Sequence, residues 1–196
     1  MIPPNLKKTG SLHQMVGQMI LAGFKGKNVH NKTDVFNWIK SYQIGGVLLY
    51  DLEMTQLPPG KRNIESPKQL RQLTKDLQTI TQVPLFIAVD QEGGVVNRLT
   101  PEYGFPECPS WQEIGEKKHL DETKLFAKSI SNTLQNCGVN FNFAPVLDIQ
   151  KKHETAIGKE ERAFSADPFM ISRHSKVLID EHRKKQIVTL GKHFPG

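Results

Sequence analysis

Hydrophobic residues recur along this chain at alternating helical and extended spacings, a pattern that predicts repeated βα units. Leu12, Met15, Val16 and Met19 fall on one helical face, with Ser11 and Gln14 placed as a capping box. The apolar run from Met19 to Phe24 fits either the end of that helix or a short strand. Val35, Trp38, Ile39 and Tyr42 form a second amphipathic face. Ile44 to Tyr50 is apolar almost throughout, as buried parallel strands are. Beyond a Pro58-Pro59-Gly60 loop, Ser66-Pro67 supplies a cap and a first-turn proline, and Leu70, Leu73, Leu77 and Ile80 line one side of the helix that follows.

Leu85 to Val89 is the clearest strand and delivers Asp90 at its C-terminal end. A long loop leads to a helix from about Asp121, predicted to turn Leu125, Ile130, Leu134 and Cys137 inward and to stop at Gly138. Val139 to Val146 alternates Phe141 and Phe143 with Asn140 and Asn142, a strand with two unlike faces. A polar loop from about Asp148 to Ser165 precedes a helix starting near Asp167-Pro168, and a last strand, Ile187 to Leu190, ends in Lys192-His193. Four or five strands separated by helices, with polar residues gathered where strands end, predict an α/β fold of the (β/α)8 TIM-barrel type. A full barrel takes about 250 residues. The 196 present therefore predict an incomplete barrel of about the first five βα units, forming a single domain over 1–196.

Composition narrows the class. Hydrophobic residues make up 37% and charged residues 23%, a globular balance with an apolar share that suits a loop-rich or incomplete domain. No apolar run reaches the ~18–20 residues of a membrane span. No signal-length apolar stretch follows the basic start Met1 to Lys8, so a cytoplasmic location without membrane association is expected. The net charge is +6, but the clusters Lys151-Lys152 and Arg183-Lys184-Lys185 are short and not interleaved with aromatics. They read as solvated helix ends rather than a nucleic-acid footprint. Cys108 and Cys137 are far apart, form no C-x-x-C pair and are expected to be structural thiols. His13, His30, His119, His153, His174 and His182 lack metal-ligand spacing, so no metal or other cofactor is expected.

The candidate chemistry lies at strand ends. Asp90 opens Asp90-Gln91-Glu92-Gly93-Gly94, whose glycines permit a tight turn or close backbone approach to a ligand. Taken alone, that loop serves equally well as a site or as a structural turn. Arg98 is placed to reach back to the same pocket, or is a surface arginine. Arg162 lies in a polar loop, where a salt bridge to Asp167 or a neighbouring glutamate is the plain alternative. Lys192-His193, directly after a buried strand, is hard to explain as packing, and both residues offer donors suited to hydroxyl groups.

Asp90 to Leu99 (D-Q-E-G-G-V-V-N-R-L) resembles a motif of family 3 glycoside hydrolases on their β-N-acetylhexosaminidase branch. Glu161-Arg162-Ala163-Phe164 with Asp167-Pro168 is similar to that branch's E-R-S-F…D-P loop, with Ala163 in place of serine. Lys192 to Gly196 is similar to the start of its K-H-F-P-G-H-G motif. The resemblance runs from about Leu12 to the end, with three motifs in family order. It implies that Asp90, Arg98, Arg162, Lys192 and His193 bind the hydroxyls of an N-acetylglucosamine-containing carbohydrate. It also implies a retaining, exo-acting hydrolase for terminal β-linked N-acetylglucosamine, of the peptidoglycan-recycling type.

In that family the acid/base histidine and the aspartate nucleophile would fall beyond Gly196, so no catalytic residue is expected within the chain and 1–196 alone is expected to be inactive. Asp148 and His153 are the nearest internal candidates and match no family motif. The alternative is a non-catalytic carbohydrate-binding module or degenerate remnant of the same fold. A basic nucleic-acid-binding protein, or an unrelated barrel enzyme using Asp90 and His193 directly, are further readings with less support. An unclosed parallel sheet also implies association, either as an oligomer or with a complementary fragment.

Overall fold

The computed structural model describes residues 10–55, 57–117, 119–150 and 156–194. Among them, five strands form one parallel sheet in chain order: β1 (Leu21–Gly23), β2 (Gly46–Leu49), β3 (Phe86–Val89), β4 (Phe141–Asn142) and β5 (Val188–Thr189). Register runs Gly23↔Leu48 from β1 to β2, Val47↔Ile87 from β2 to β3, Ala88↔Phe141 from β3 to β4, and Phe141↔Val188 from β4 to β5. Helices α1 (Leu12–Gln18), α2 (Asp34–Asn37), α3 (Pro67–Thr79), α4 (Trp111–Glu116), α5 (Leu120–Asn136), α6 (Ala156–Lys159) and α7 (Pro168–Lys184) lie before or between them. Sequential parallel strands joined through helices are the unit of the (β/α)8 fold. Because β1 and β5 are not paired with each other, this sheet is open at both edges.

Local chemistry accounts for most boundaries. Both halves of the Ser11–Gln14 capping box form, and the run after α1 resolves into β1. The Ser66 hydroxyl accepts from the Gln69 N–H at the start of α3, and the Asp167 carboxylate accepts from the Phe169 N–H at the start of α7, each followed by a proline at the first helical position. The two-faced run from Val139 yields only two residues of β4. Pro145 has no N–H to continue the ladder, and pairing resumes at the bridge Val146↔Lys192.

The core lies between the sheet and the helices. Val47, Leu49, Ile87 and Val89 pack in one cluster with Leu70, Leu73 and Leu77 of α3, Ala127, Ile130 and Leu134 of α5, and Leu178 of α7. Each large aliphatic side chain buried in this way contributes about 2 kcal/mol. The opposite sheet face is less covered: Phe86, Val188 and Leu190 are 46%, 44% and 45% exposed. Phe141 lies between them, edge-on to Phe86 with ring centroids 5.4 Å apart. Cys137 is buried and Cys108 half-buried, and both are free thiols. Burial pushes Cys108 up to about 12 and Cys137 up to about 11.

Three expectations need correction. The apolar face of α1 is largely exposed, with Leu12 72% and Met19 87% accessible, because the helix packs on Tyr42 and Gln43 through Gly17 instead. Leu125 is likewise 67% exposed. The buried residues of α5 are Thr123, Ala127, Ile130, Ser131 and Leu134, and at 3.6 residues per turn Leu125 falls on the other side of the helix. Lastly, the stretch expected to be loop before α5 contains α4, started by a Ser110–Glu113 capping box and buried through Trp111 and Ile114.

Candidate sugar-binding cleft

β3 runs straight into the acidic loop. Gln91–Gly93 continues extended and pairs antiparallel with Val96–Asn97, so Asp90 and Glu92, two residues apart, project to the same side. Gly93 and Gly94 take φ of +111° and +56°, which L side chains rarely adopt. A Cβ on Gly93 would also strike the Pro109 carbonyl, so the turn requires glycine there.

β5 delivers the matching cation. The Lys192 backbone is held on both sides, its N–H donating to the Pro145 carbonyl at 3.0 Å and its carbonyl accepting from the Leu147 N–H at 2.6 Å. The ammonium donates to Asp90 Oδ1 at 2.7 Å and lies 2.5 Å from Glu92 Oε1. Arg162 grips Glu92 from the other side, with Nε to Oε2 and Nη2 to Oε1 both at 2.9 Å. This bidentate pair raises the arginine's own pKa, so the guanidinium is permanently charged. The loop bearing Arg162 is anchored by Phe164, whose ring sits 4.8 Å from Trp111 and 5.2 Å from His174. Ala163 is buried beside it, where a serine hydroxyl would need its own partner.

Two further residues complete the rim. Arg98 Nη1 donates to Asp51 Oδ1 at 3.3 Å, while its buried Nε has no partner among the described residues. His193 Nδ1 lies 2.6 Å from Asp148 Oδ2, and its Nε2 has no partner among the described residues. Asp90, Arg98, Arg162, Lys192 and His193 thus line one open cleft of about 540 Å³ together with Glu92, Val95, Val96 and Glu160. The plain alternatives for Arg98 and Arg162 hold only in part. Arg162 does pair with a neighbouring glutamate, Glu160, at 3.4 Å, but its bidentate partner is Glu92 in the acidic loop, and Arg98 is a partly buried residue paired with Asp51 rather than a free surface arginine.

Single-residue reading gives Asp51 no role, Glu92 only a place in its motif, and Asp148 only that of a catalytic candidate that matches no motif. Glu92 was visible in principle, since a strand that delivers Asp90 delivers residue 92 to the same side. Asp51 and Asp148 carry no local signal and are brought in by the tertiary fold. His153 lies outside the described residues, as do Pro195 and Gly196 of the last motif. Among the described residues no cluster of three or more histidine, cysteine or acidic side chains is arranged to hold a metal ion. No described helix is long and apolar enough to cross a membrane.

Cations and carboxylates neutralising one another around an open cleft leave many charge-assisted donors and acceptors at fixed positions, an arrangement suited to a polyhydroxyl ligand. Residues 11–196 match the model of the glycosyl hydrolase family 3 N-terminal domain. The chain is 35% identical over 159 residues to a β-hexosaminidase of Nitrosomonas eutropha, covering 78% of this chain and 42% of that protein. It is 32% identical over 173 residues to a β-hexosaminidase of Hydrogenovibrio crunogenus, covering 77% and 47% respectively. A family 3 β-N-acetylglucosaminidase from Paenibacillus sp. superposes with a TM-score of 0.84 at 30% identity, over 96% of this chain and 34% of that one. NagZ from Neisseria gonorrhoeae, solved in complex with N-trifluoroacetyl-D-glucosamine, superposes with a TM-score of 0.77 at 26% identity, over 90% and 50%. The chain therefore spans less than half the length of these two curated relatives.

Proposed function

The chain belongs to the glycosyl hydrolase family 3 N-terminal domain family, and on that premise we propose that residues 1–196 form the N-terminal portion of a β-N-acetylhexosaminidase barrel and carry its sugar-binding half. Asp90 accepts hydrogen bonds from paired sugar hydroxyls. Lys192, Arg162 and Arg98 donate to sugar hydroxyl oxygens, and His193 offers its free ring nitrogen to another hydroxyl. Asp148 fixes the orientation of that ring. The observation that carries this reading is the convergence of five residues, from three separate motifs, on one cleft.

In the whole enzyme, hydrogen bonds of this kind strengthen as the ring distorts towards an oxocarbenium-like transition state. Bond cleavage itself needs a proton donor and a nucleophile. Asp90 and Glu92 both contact Lys192, and Glu160 and Glu92 both contact Arg162. Carboxylates engaged in this way hold the cleft's cations in place for a ligand, and the family resemblance assigns neither catalytic role to them. The chain 1–196 therefore binds sugar without turning it over. The complete protein acts as a retaining exo-hydrolase on terminal β-linked N-acetylglucosamine, such as that released in cytoplasmic peptidoglycan recycling.

Titration of the purified chain with N-acetylglucosamine by protein-observed NMR, beside a turnover assay on an aryl N-acetylglucosaminide, tests both statements. The expected result is saturable shifts at residues 90–98, 162 and 192–193, with no product. Measurable turnover refutes the inactivity of the chain, and an absence of shifts refutes the sugar site.

A further inference from the structure

Gln91 stands between Asp90 and Glu92, and its surroundings are unusually complete. The Asn142 side chain, wholly buried on β4, brackets it: Oδ1 accepts from the Gln91 N–H at 3.1 Å, and Nδ2 donates to the Gln91 carbonyl at 3.1 Å. The remaining Nδ2 proton points to His182 Nε2 at 3.1 Å, while His182 Nδ1 lies 2.9 Å from the Leu178 carbonyl. A carbonyl only accepts, so Nδ1 carries the ring proton and Nε2 is the acceptor. The Gln91 side chain continues the chain outward. Its Nε2 donates to Asn97 Oδ1 at 2.6 Å, and its Oε1 accepts from the Leu99 N–H at 3.0 Å. Arg98 lies between those two anchors.

We infer that His182, Asn142 and Gln91 form a buried positioning chain that sets the direction of Asp90, Glu92 and Arg98. Asn142 fixes the peptide on each side of Gln91, and these two peptides aim the carboxylates at Lys192. The Gln91 carboxamide fixes the residues on each side of Arg98. Each of the three side chains is 2% exposed or less, so water cannot replace a lost bond. None of them lines the cleft. Their part is to hold the residues that do, and the ligand side of this inference rests on the sugar-binding reading above.

The test uses the full 1–196 chain and needs no ligand for its first half. In the unmodified protein, ring ¹⁵N shifts are expected to show His182 protonated at Nδ1 and accepting at Nε2, and the Asn142 Nδ2 protons are expected to exchange slowly. A ring protonated at Nε2 overturns the inference. In Asn142→Leu, amide exchange is expected to accelerate tenfold or more at residues 91–99 and to stay unchanged in β2. His182→Phe, which keeps ring volume but removes the acceptor, is expected to do the same more weakly, and His182→Gln to restore protection. Unchanged exchange at 91–99, or uniform acceleration across the sheet, overturns the inference. N-acetylglucosamine affinity is expected to fall tenfold or more in Asn142→Leu. If the unmodified chain binds no sugar while the exchange pattern holds, the positioning chain stands and the sugar-binding reading falls.

Discussion

Burial of Glu92 at 0% side-chain exposure would cost several kcal/mol if its charge stood alone, and Arg162 and Lys192 together offset that cost. Removing one partner therefore exposes the penalty. Arg162→Met is expected to destabilise the chain by about 2 kcal/mol in urea unfolding, below the full effect of breaking a buried pair because Lys192 remains. Arg162→Lys is expected to recover only part of this, since an ammonium cannot reproduce the two parallel 2.9 Å bonds. His182 makes a second prediction at this scale. Burial pushes its imidazole down to about 4 from 6.5, so the unfolded chain takes up the proton first as pH falls. Stability is then fully present above about pH 6.5 and is lost as pH falls through 4, by about 3 kcal/mol in all. His174, lowered for the same reason, adds to the loss. Urea midpoints measured from pH 7 to pH 4 check this, and His182→Gln should flatten the profile. At this scale the residues bearing family motifs were legible, and partners outside those motifs were not. Asp90 and Lys192 announce themselves at strand ends, but the pairing of Arg98 with Asp51, 47 positions apart, is written only in the fold.

Among the elements, α4 shows how a short helix controls the cleft from outside it. Gly115 of α4 lies so close to the loop that carries Arg162 that an added Cβ would collide with the Phe164 carbonyl. Gly115→Ala is expected to push that loop outward, costing about 1–3 kcal/mol of stability by overpacking and weakening sugar binding through displacement of Arg162. Thermal unfolding and the NMR titration read the two effects separately. Six residues of helix give too short a window for apolar periodicity, so this stretch reads as loop in the sequence, and the Ser110–Glu113 capping box was the one local signal that could have found α4. The α1 face erred the other way. Its period is genuine, but a period states only that a face is apolar, and among the described residues that face stays half exposed or more, with Leu12 at 72% and Met19 at 87%.

For the molecule as a whole, the governing fact is a parallel sheet that does not close on itself. β5 is an edge strand of two residues, and its unpaired backbone lies beside Val188 and Leu190, both near half exposed, with Phe86 and Phe141 across the same face. Leu147 and Ile149 extend apolar surface towards a groove of about 550 Å³ along α7. Parallel sheets in α/β proteins are normally covered on both faces, and an uncovered edge recruits strands from other chains. The chain 1–196 is therefore expected to self-associate in a concentration-dependent way, which sedimentation velocity measures directly. Val188→Lys with Leu190→Lys is expected to keep it monomeric, because two ammonium groups at the edge repel a second copy and resist desolvation. Both side chains are already about half in water, so the unfolding midpoint should move by no more than about 0.5 kcal/mol. A double variant that still associates as strongly as the parent would place the contact elsewhere, with the exposed α1 face next in line. A double variant that becomes monomeric and retains its N-acetylglucosamine shifts would separate the binding cleft from the open edge. Sugar recognition would then be a property of these five βα units by themselves, and closure of the sheet a requirement of catalysis alone.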